Sequence, residues 1–556
     1  MEAPAKWSSG HAGAALTRRL GSDLGLVLLL LILAAGIHLW LAQHTVVMSR
    51  DGIGFVTYAW QLGHQPWAQA MRQNAQHPFY PLAIAAASWP VRHLSAGSPM
   101  EAMVLSAQLV SGLCGVLLVV PMLFLGKMLF RRSVGFWAAL LFQCFPIGAR
   151  ATADALSEGL FLLLVACALL AAVHAVRRSS WPLFALCGLL SGLAYLTRPE
   201  GAVVAAAAGV VVLGCQLAPA WRQPWRLALA CTLGLCVGAA LVAAPYVAVT
   251  GRLTGKETAR ESVGLALTSP AQSSSTTYDG KHLLAVSNLA VFLEWGSQHR
   301  PSGLEGFGLN MWCLATELDR GFHHVAWVFV LLGLWWFRAG VDRAGWVVLI
   351  VCVLQIIALC GLVFVVGYLA DRHVLILVLC GLFWAVAAVE ALPGRLRQAW
   401  QTRLTAFKLP RIFTSSVASV LVLLMLALSG LPKTLQPLHP QRAGHRIAGQ
   451  WLAKHARQGD MVEDPYSWAQ YYSGWDFGLA PGRSAGDADW NHYIVVEKSS
   501  NPHIRLSLIK DDIVQRGTVV FRCPLRPDKH AQDEVEIRTI NFTRTAVKPP
   551  AMRNIP

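Results

Sequence analysis

Few residues in this chain are charged. Asp, Glu, Lys and Arg together make up 14% of its 556 residues, against roughly 25% in soluble domains. A soluble chain of this length divides into several domains with charged surfaces, and this composition cannot supply them. Acidic residues are the scarcer sign, 30 against 46 Lys and Arg, for a formal net charge of +16. None of the 12 cysteines stands in a CxxC pair, which removes the usual zinc or dithiol spacing. The first apolar run is longer than the core of a secretion signal, and no small-residue cleavage site follows it. No internal repeat is visible either.

What the chain has instead is long apolar blocks, and 55% of its residues are hydrophobic. The blocks Leu24–Leu41, Met103–Leu125, Leu160–Val173, Ala202–Leu217, Leu227–Val249, Val325–Trp336, Trp346–Val366 and Val417–Leu428 are nearly free of charge. A bilayer core of ~30 Å takes about 20 apolar residues per helix. With their weakly polar flanks these blocks, and three shorter ones near Val134–Gly148, Trp181–Thr197 and Val374–Leu392, predict a mainly α transmembrane bundle of about eleven spans. Ten cysteines fall inside apolar stretches, where they read as small hydrophobes. Cys313 and Cys523 lie outside the spans and leave a disulfide open.

Basic clusters recur in every second connection: Lys6, Arg18 and Arg19; Lys127, Arg131 and Arg132; Arg177 and Arg178; Arg222 and Arg226; Arg338 and Arg343; then Arg395 to Arg411. That alternation is the positive-inside pattern. It accounts for the net charge without any nucleic-acid partner. It assigns 1–23 to a cytoplasmic N-terminus and 24–431 to the membrane domain, with outer loops at 45–100 and 250–322. From Lys433 onward charges and aromatics rise. Gln441–Arg457 carries Ile447, Trp451 and Leu452 at helical spacing, while Tyr493–Glu497 and Thr518–Phe521 read as buried strands. Residues 432–556 are expected to form a small α/β domain outside the cytoplasm.

The ionisable residues that are not basic clusters gather at the outer helix ends: Arg50-Asp51, His77, Asp154, Glu158, Arg198-Pro199-Glu200 and Asp371-Arg372-His373. In a membrane protein such residues are candidates for function. Phe55, Tyr58, Ala59 and Leu62 recur at helical spacing after Asp51, as in a helix lying in the interface. Pro78 and Pro81 then bracket Phe79 and Tyr80 and predict extended or turn geometry. Each residue also has a plainer reading. Asp51 can cap the helix that follows it, His77 can be an anchor at headgroup level, Arg198 and Glu200 can be a helix-end ion pair, and Arg372 can seek lipid phosphate.

Taken together the elements resemble the GT-C glycosyltransferases, in the branch of the protein O-mannosyltransferases and the lipid A aminoarabinose transferases. The resemblance rests on Asp51 with Ala59-Trp60-Gln61-Leu62-Gly63, on His77-Pro78-Phe79-Tyr80-Pro81, and on the run from Gly188-Leu189-Leu190-Ser191 through Gly192-Leu193-Ala194-Tyr195-Leu196-Thr197-Arg198-Pro199-Glu200-Gly201. Asp371-Arg372-His373 matches a third family segment, but Ile376 and Leu377 stand where a proline is common. The likeness covers Leu24 to Leu392. The region from Trp451 through Gly474 is similar to soluble appendages of such enzymes.

The resemblance implies inverting transfer of a sugar from a polyprenyl or dolichyl phosphate to a lipid, glycan or protein acceptor. It implies a catalytic face outside the cytoplasm, in the bacterial inner membrane by preference. By this analogy Asp51 is the base. Asp154 and Glu158 form a second acidic element that binds acceptor or sugar or holds a divalent cation. Arg372 binds the lipid phosphate, with Arg198, Arg50 and His373 in reserve, and His77, Tyr80 and Glu200 support the first loop or touch substrate. A transporter or flippase of a lipid-linked precursor is the competing reading, but it more often shows repeated halves and broken helices at the midplane. A non-catalytic scaffold would leave the charged first loop unexplained.

Overall fold

The computed structural model describes residues 9–94, 97–255, 303–366, 369–403, 416–478, 490–498, 515–526 and 533–542. Most of the expected outer loop at 250–322, and the stretch 404–415 of the basic segment, lie outside them.

Among the described residues eight helices are long and apolar enough to span a bilayer, from Asp23–Gln43 to Val417–Thr434. Two bent pairs bring the count to ten: Arg132–Cys144 with Pro146–Ala153, at 68°, and Met311–Gly321 with Ala326–Gly340, at 99°. The first bend has a local cause. Pro146 opens the second helix, and the residue before a proline is driven out of the helical region; Phe145 is extended at φ −78° and ψ 135°. Trp181–Thr197 is apolar but shorter than the others. Counting it and both bent pairs reproduces the eleven segments expected from the sequence. The protein is an integral membrane protein.

Two spans form the centre. Asp371–Gln398 has 89% and Glu158–Arg178 67% of its apolar window buried, against 22% for Asp23–Gln43 and 28% for Trp225–Thr250. Leu28, Ile32, Val237 and Leu241 stay exposed, as lipid-facing residues should. Helices Trp181–Thr197 and Trp225–Thr250 pack through small residues, the usual membrane solution. A Cβ on Gly188 would lie 2.1 Å from the Leu235 carbonyl oxygen, and one on Gly238 would lie 2.1 Å from that of Ala185.

At one end of the bundle, basic helix ends pair with the few acids there. Lys127 meets Asp23 at 2.6 Å, Arg131 meets Glu390 at 2.6 Å and Arg177 meets Asp342 at 2.9 Å. The other end carries the first connecting segment and the C-terminal domain. Helix Arg50–His64 is capped by Ser49, whose hydroxyl accepts from the Gly52 amide at 3.2 Å. Helix Phe79–Leu94 follows. Pro78 and Pro81 do not hold this stretch extended. Pro81 sits in the first turn of that helix, where its missing N–H has no partner to lose.

The C-terminal domain is a four-stranded sheet of order β1-β2-β4-β3, with β1 Met461–Glu463, β2 Trp490–Lys498, β3 Thr518–Pro524 and β4 Glu534–Phe542. β1 and β2 are parallel and the other pairs antiparallel. Helix Ala443–His455 packs on it. β2 is buried as expected, but Thr518–Phe521 is not. β3 is an edge strand, and Val519 and Val520 are exposed. Cys313 and Cys523 are not joined; both are free thiols, and Cys523 is buried with its Sγ 3.3 Å from the Gly444 carbonyl.

Candidate active site

Four charged side chains from four separate segments meet at the end of the bundle that bears the sheet. Asp51 lies in the first turn of Arg50–His64, where a carboxylate suits the positive end of the helix dipole. Glu158 opens the span Glu158–Arg178. Arg198 ends Trp181–Thr197, just before a 3-10 turn that redirects the chain into the next span. Arg372 stands in the 3-10 turn Asp371–Val374, at the head of the central span.

They form one chain of contacts. Arg372 Nη2 donates to Asp51 Oδ2. Arg372 Nε lies 3.8 Å from Glu158 Oε1, and the same Glu158 oxygen accepts from Arg198 Nη1. Arg198 Nη2 also donates to Glu200 Oε1 at 3.3 Å, and its guanidinium lies over the Phe161 ring at 5.5 Å. Glu158, Arg198, Glu200, Arg372, His373 and Gln355 line one cavity, with apolar walls from Phe161, Leu375 and Ile376. Asp51 is not in the lining; its half-exposed carboxylate joins the set through Arg372, which is. The set thus offers a solvated carboxylate beside two planar cations, next to a depression with an apolar wall.

Other predicted residues hold the frame. His373 Nδ1 accepts from the Ala370 amide at 3.1 Å and so shapes the turn that presents Arg372. Tyr80 is fully buried and bonds Ser111 Oγ at 2.7 Å, and Ser111 donates to the Leu156 carbonyl at 2.6 Å. That relay braces the turn before Glu158. His77 is buried beside Tyr195 and Tyr246, with Nε2 at 3.1 Å from Thr254 Oγ1, and it does not line the cavity. Arg50 points away, donating to the Pro465 carbonyl at 3.1 Å; burial pushes its guanidinium down to about 10.

Asp154 also parts from the site. One oxygen accepts from the Ser49 amide at 3.2 Å and from the Ala155 amide at 2.8 Å, while the other meets His439 Nε2 at 2.7 Å. Of the two predicted acids, Glu158 lines the cavity and Asp154 does not. Among the described residues no group of three or more His, Cys, Asp or Glu converges as a metal site would require. Sequence reasoning missed Gln355, whose only signal is a polar side chain inside the apolar run Arg343–Val366. It also missed His439, which carries none.

Residues 96–247 match the family described as dolichyl-phosphate-mannose-protein mannosyltransferase. No curated protein sequence matches the chain. Among solved structures it is similar to ArnT from Cupriavidus metallidurans bound to undecaprenyl phosphate. Identity is 14% and the TM-score 0.55, over 92% of this chain and 98% of that one. The apo state of the same protein matches at 12% identity and a TM-score of 0.53, over 96% of this chain and 100% of that one. The chain has the GT-C glycosyltransferase fold. The matched 96–247 stretch contains Asp154, Glu158, Arg198 and Glu200, whereas Asp51 and Arg372 lie outside it. The archaeal oligosaccharyltransferase AglB from Archaeoglobus fulgidus is a further structural match, at 13% identity and a TM-score of 0.45, over 83% of this chain and 60% of that one.

Proposed function

We propose that this membrane glycosyltransferase moves a hexosyl or pentosyl group from a polyprenyl phosphate to a hydroxyl of a lipid, glycan or protein acceptor, with inversion at the anomeric carbon. The acceptor oxygen attacks that carbon as its proton passes to the Asp51 carboxylate, which acts as general base. The bond from the anomeric carbon to the phosphate oxygen breaks, and the lipid phosphate leaves with the electron pair. Arg372 and Arg198 stabilise the charge that develops on it, with the planar fork that suits phosphate. Glu158 keeps the two guanidiniums together before the donor arrives, and the donor phosphate takes Arg372 over from Asp51, freeing the base.

The observation that carries this reading is the single cavity shared by Glu158, Arg198 and Arg372, with Asp51 held to Arg372. The bound undecaprenyl phosphate of ArnT supports a donor of the same class. The basic clusters at the opposite end support a site facing the periplasm of a bacterial inner membrane, by the positive-inside rule.

The test is purified protein incubated with a polyprenyl-phosphate sugar and acceptor extract. Release of free lipid phosphate that vanishes in Asp51→Asn is expected. A flippase would move the intact donor across vesicles and release none. Full turnover by the folded Asp51→Asn protein would remove Asp51 from the reaction.

A further inference from the structure

The segment between the first span and the Asp51 helix makes its bonds mainly to the C-terminal domain and its linker. A connector lacks the internal bonds of a helix, so its amides and carbonyls need partners from elsewhere. Arg446 donates to the Val46 carbonyl at 3.1 Å, and the Val46 amide donates to the Leu438 carbonyl at 3.1 Å. The Met48 peptide is gripped on both sides: its amide donates to the Tyr472 hydroxyl at 3.2 Å, and its carbonyl accepts from the Trp468 indole at 2.9 Å. The Ser49 amide goes to Asp154, itself held by His439 of the linker, and Arg50 reaches the Pro465 carbonyl. Asp51 is the next residue.

Resting on the reaction proposed above, we infer that the C-terminal domain is a positioning element of the active site, and that Tyr472 and Trp468 fix the backbone that aims Asp51 at the acceptor. The domain is tied to the membrane bundle through the very residues that precede the base. Its contact is with the main chain of that connector, so it sets where the first turn of the helix starts and therefore where the carboxylate lies. A shift of about 1 Å in a catalytic group can cost up to about a hundredfold in rate. Donor binding falls to Arg198 and Arg372, which this clamp does not touch.

The test compares full-length Tyr472→Phe and Trp468→Phe with Trp451→Phe, which loosens the same domain at its packing against Phe521 and leaves the connector alone. The expected result for Tyr472→Phe is a fall in kcat of about tenfold with the KM for a polyprenyl-phosphate sugar unchanged. Faster hydrogen exchange at the Met48 amide should accompany it, with neither effect in Trp451→Phe. Three results overturn the inference: unchanged Met48 exchange in Tyr472→Phe, faster exchange with wild-type kcat, or an equal loss of kcat in Trp451→Phe. Should Trp468→Phe fail to fold, the smaller Tyr472→Phe change still decides the matter. Absence of turnover in the wild-type protein is the failure of the reaction itself, and the exchange measurement then judges the clamp alone.

Discussion

Both ends of the bundle are held by ion pairs between helix ends, yet the pairs differ in what surrounds them. At the basic end the Arg131 side chain is 61% exposed where it meets Glu390. At the site end Arg198 is 10% exposed and Glu158 2%. Exposed pairs are worth about 0–1 kcal/mol, because water screens them and the side chains lose freedom. Burying charges costs several kcal/mol per ion, which the attraction between partners offsets only when the geometry is good. The basic end can therefore be read as orientation and clasping. The site end is an arrangement that stability alone would not select, and that makes it the place to look for chemistry.

The largest expected effect belongs to the residue that does the chemistry. Asp51→Asn should lower kcat by about 10²–10⁴, the range of general-base catalysis, without lowering the melting temperature. Its carboxylate is half exposed, so losing the contact to Arg372 leaves little uncompensated. A kcat within tenfold of wild type, measured as lipid phosphate released, would erase the functional distinction between the two ends.

Next is the buried pair. Arg198→Ala leaves Glu158 buried without its nearest cation and should cost about 3–5 kcal/mol of stability, read as a large fall in the melting temperature of the detergent-solubilised protein. Arg198→Lys should recover part of the stability but not the donor affinity, since an ammonium lacks the fork. Equal melting temperatures for Arg198→Ala and wild type would show that Arg372 alone suffices to compensate the buried Glu158.

How much of this was legible follows from the range of the interactions. Spans are local: a run of apolar residues sets their length, and the alternation of basic clusters sets their order. Asp51, Glu158, Arg198 and Arg372 were legible because ionisable residues at outer helix ends are few in so weakly charged a chain. Asp154 shares every one of those sequence features and still does a different job. Its partner His439 is 285 positions away, and no local signal points from one to the other. Tyr80 likewise declares itself as an aromatic in a loop, while its role through Ser111 depends on a packed neighbour. Thr518–Phe521 reads as buried because it is apolar, but burial depends on strand order, and β3 lies at the edge.

The C-terminal domain holds a buried pair of its own, and it responds to acid. Burial alone would raise the Glu497 carboxyl, but the hydrogen bond from His445 and the charge of Arg442 outweigh it and hold the group below its ordinary value of 4.5. A carboxylate lowered on folding adds stability above its unfolded pKa and loses it as pH falls through the folded value. The domain should therefore loosen below about pH 4.5, and exchange of the β2 amides is the measurement. Glu497→Gln should flatten that acid dependence. An unchanged acid profile in the variant would mean that another carboxylate controls it.

The smallest effect closes the comparison from its other side. Arg131→Ala removes the cation from the exposed Arg131–Glu390 contact and should change stability by no more than about 1 kcal/mol, with wild-type turnover. Glu390 is itself largely buried, so this variant asks whether solvent at the arginine alone is enough to keep the pair weak. A loss as large as that of Arg198→Ala would mean that burial of the acid, rather than of the pair, sets the cost. The two ends would then differ in chemistry but not in energetics.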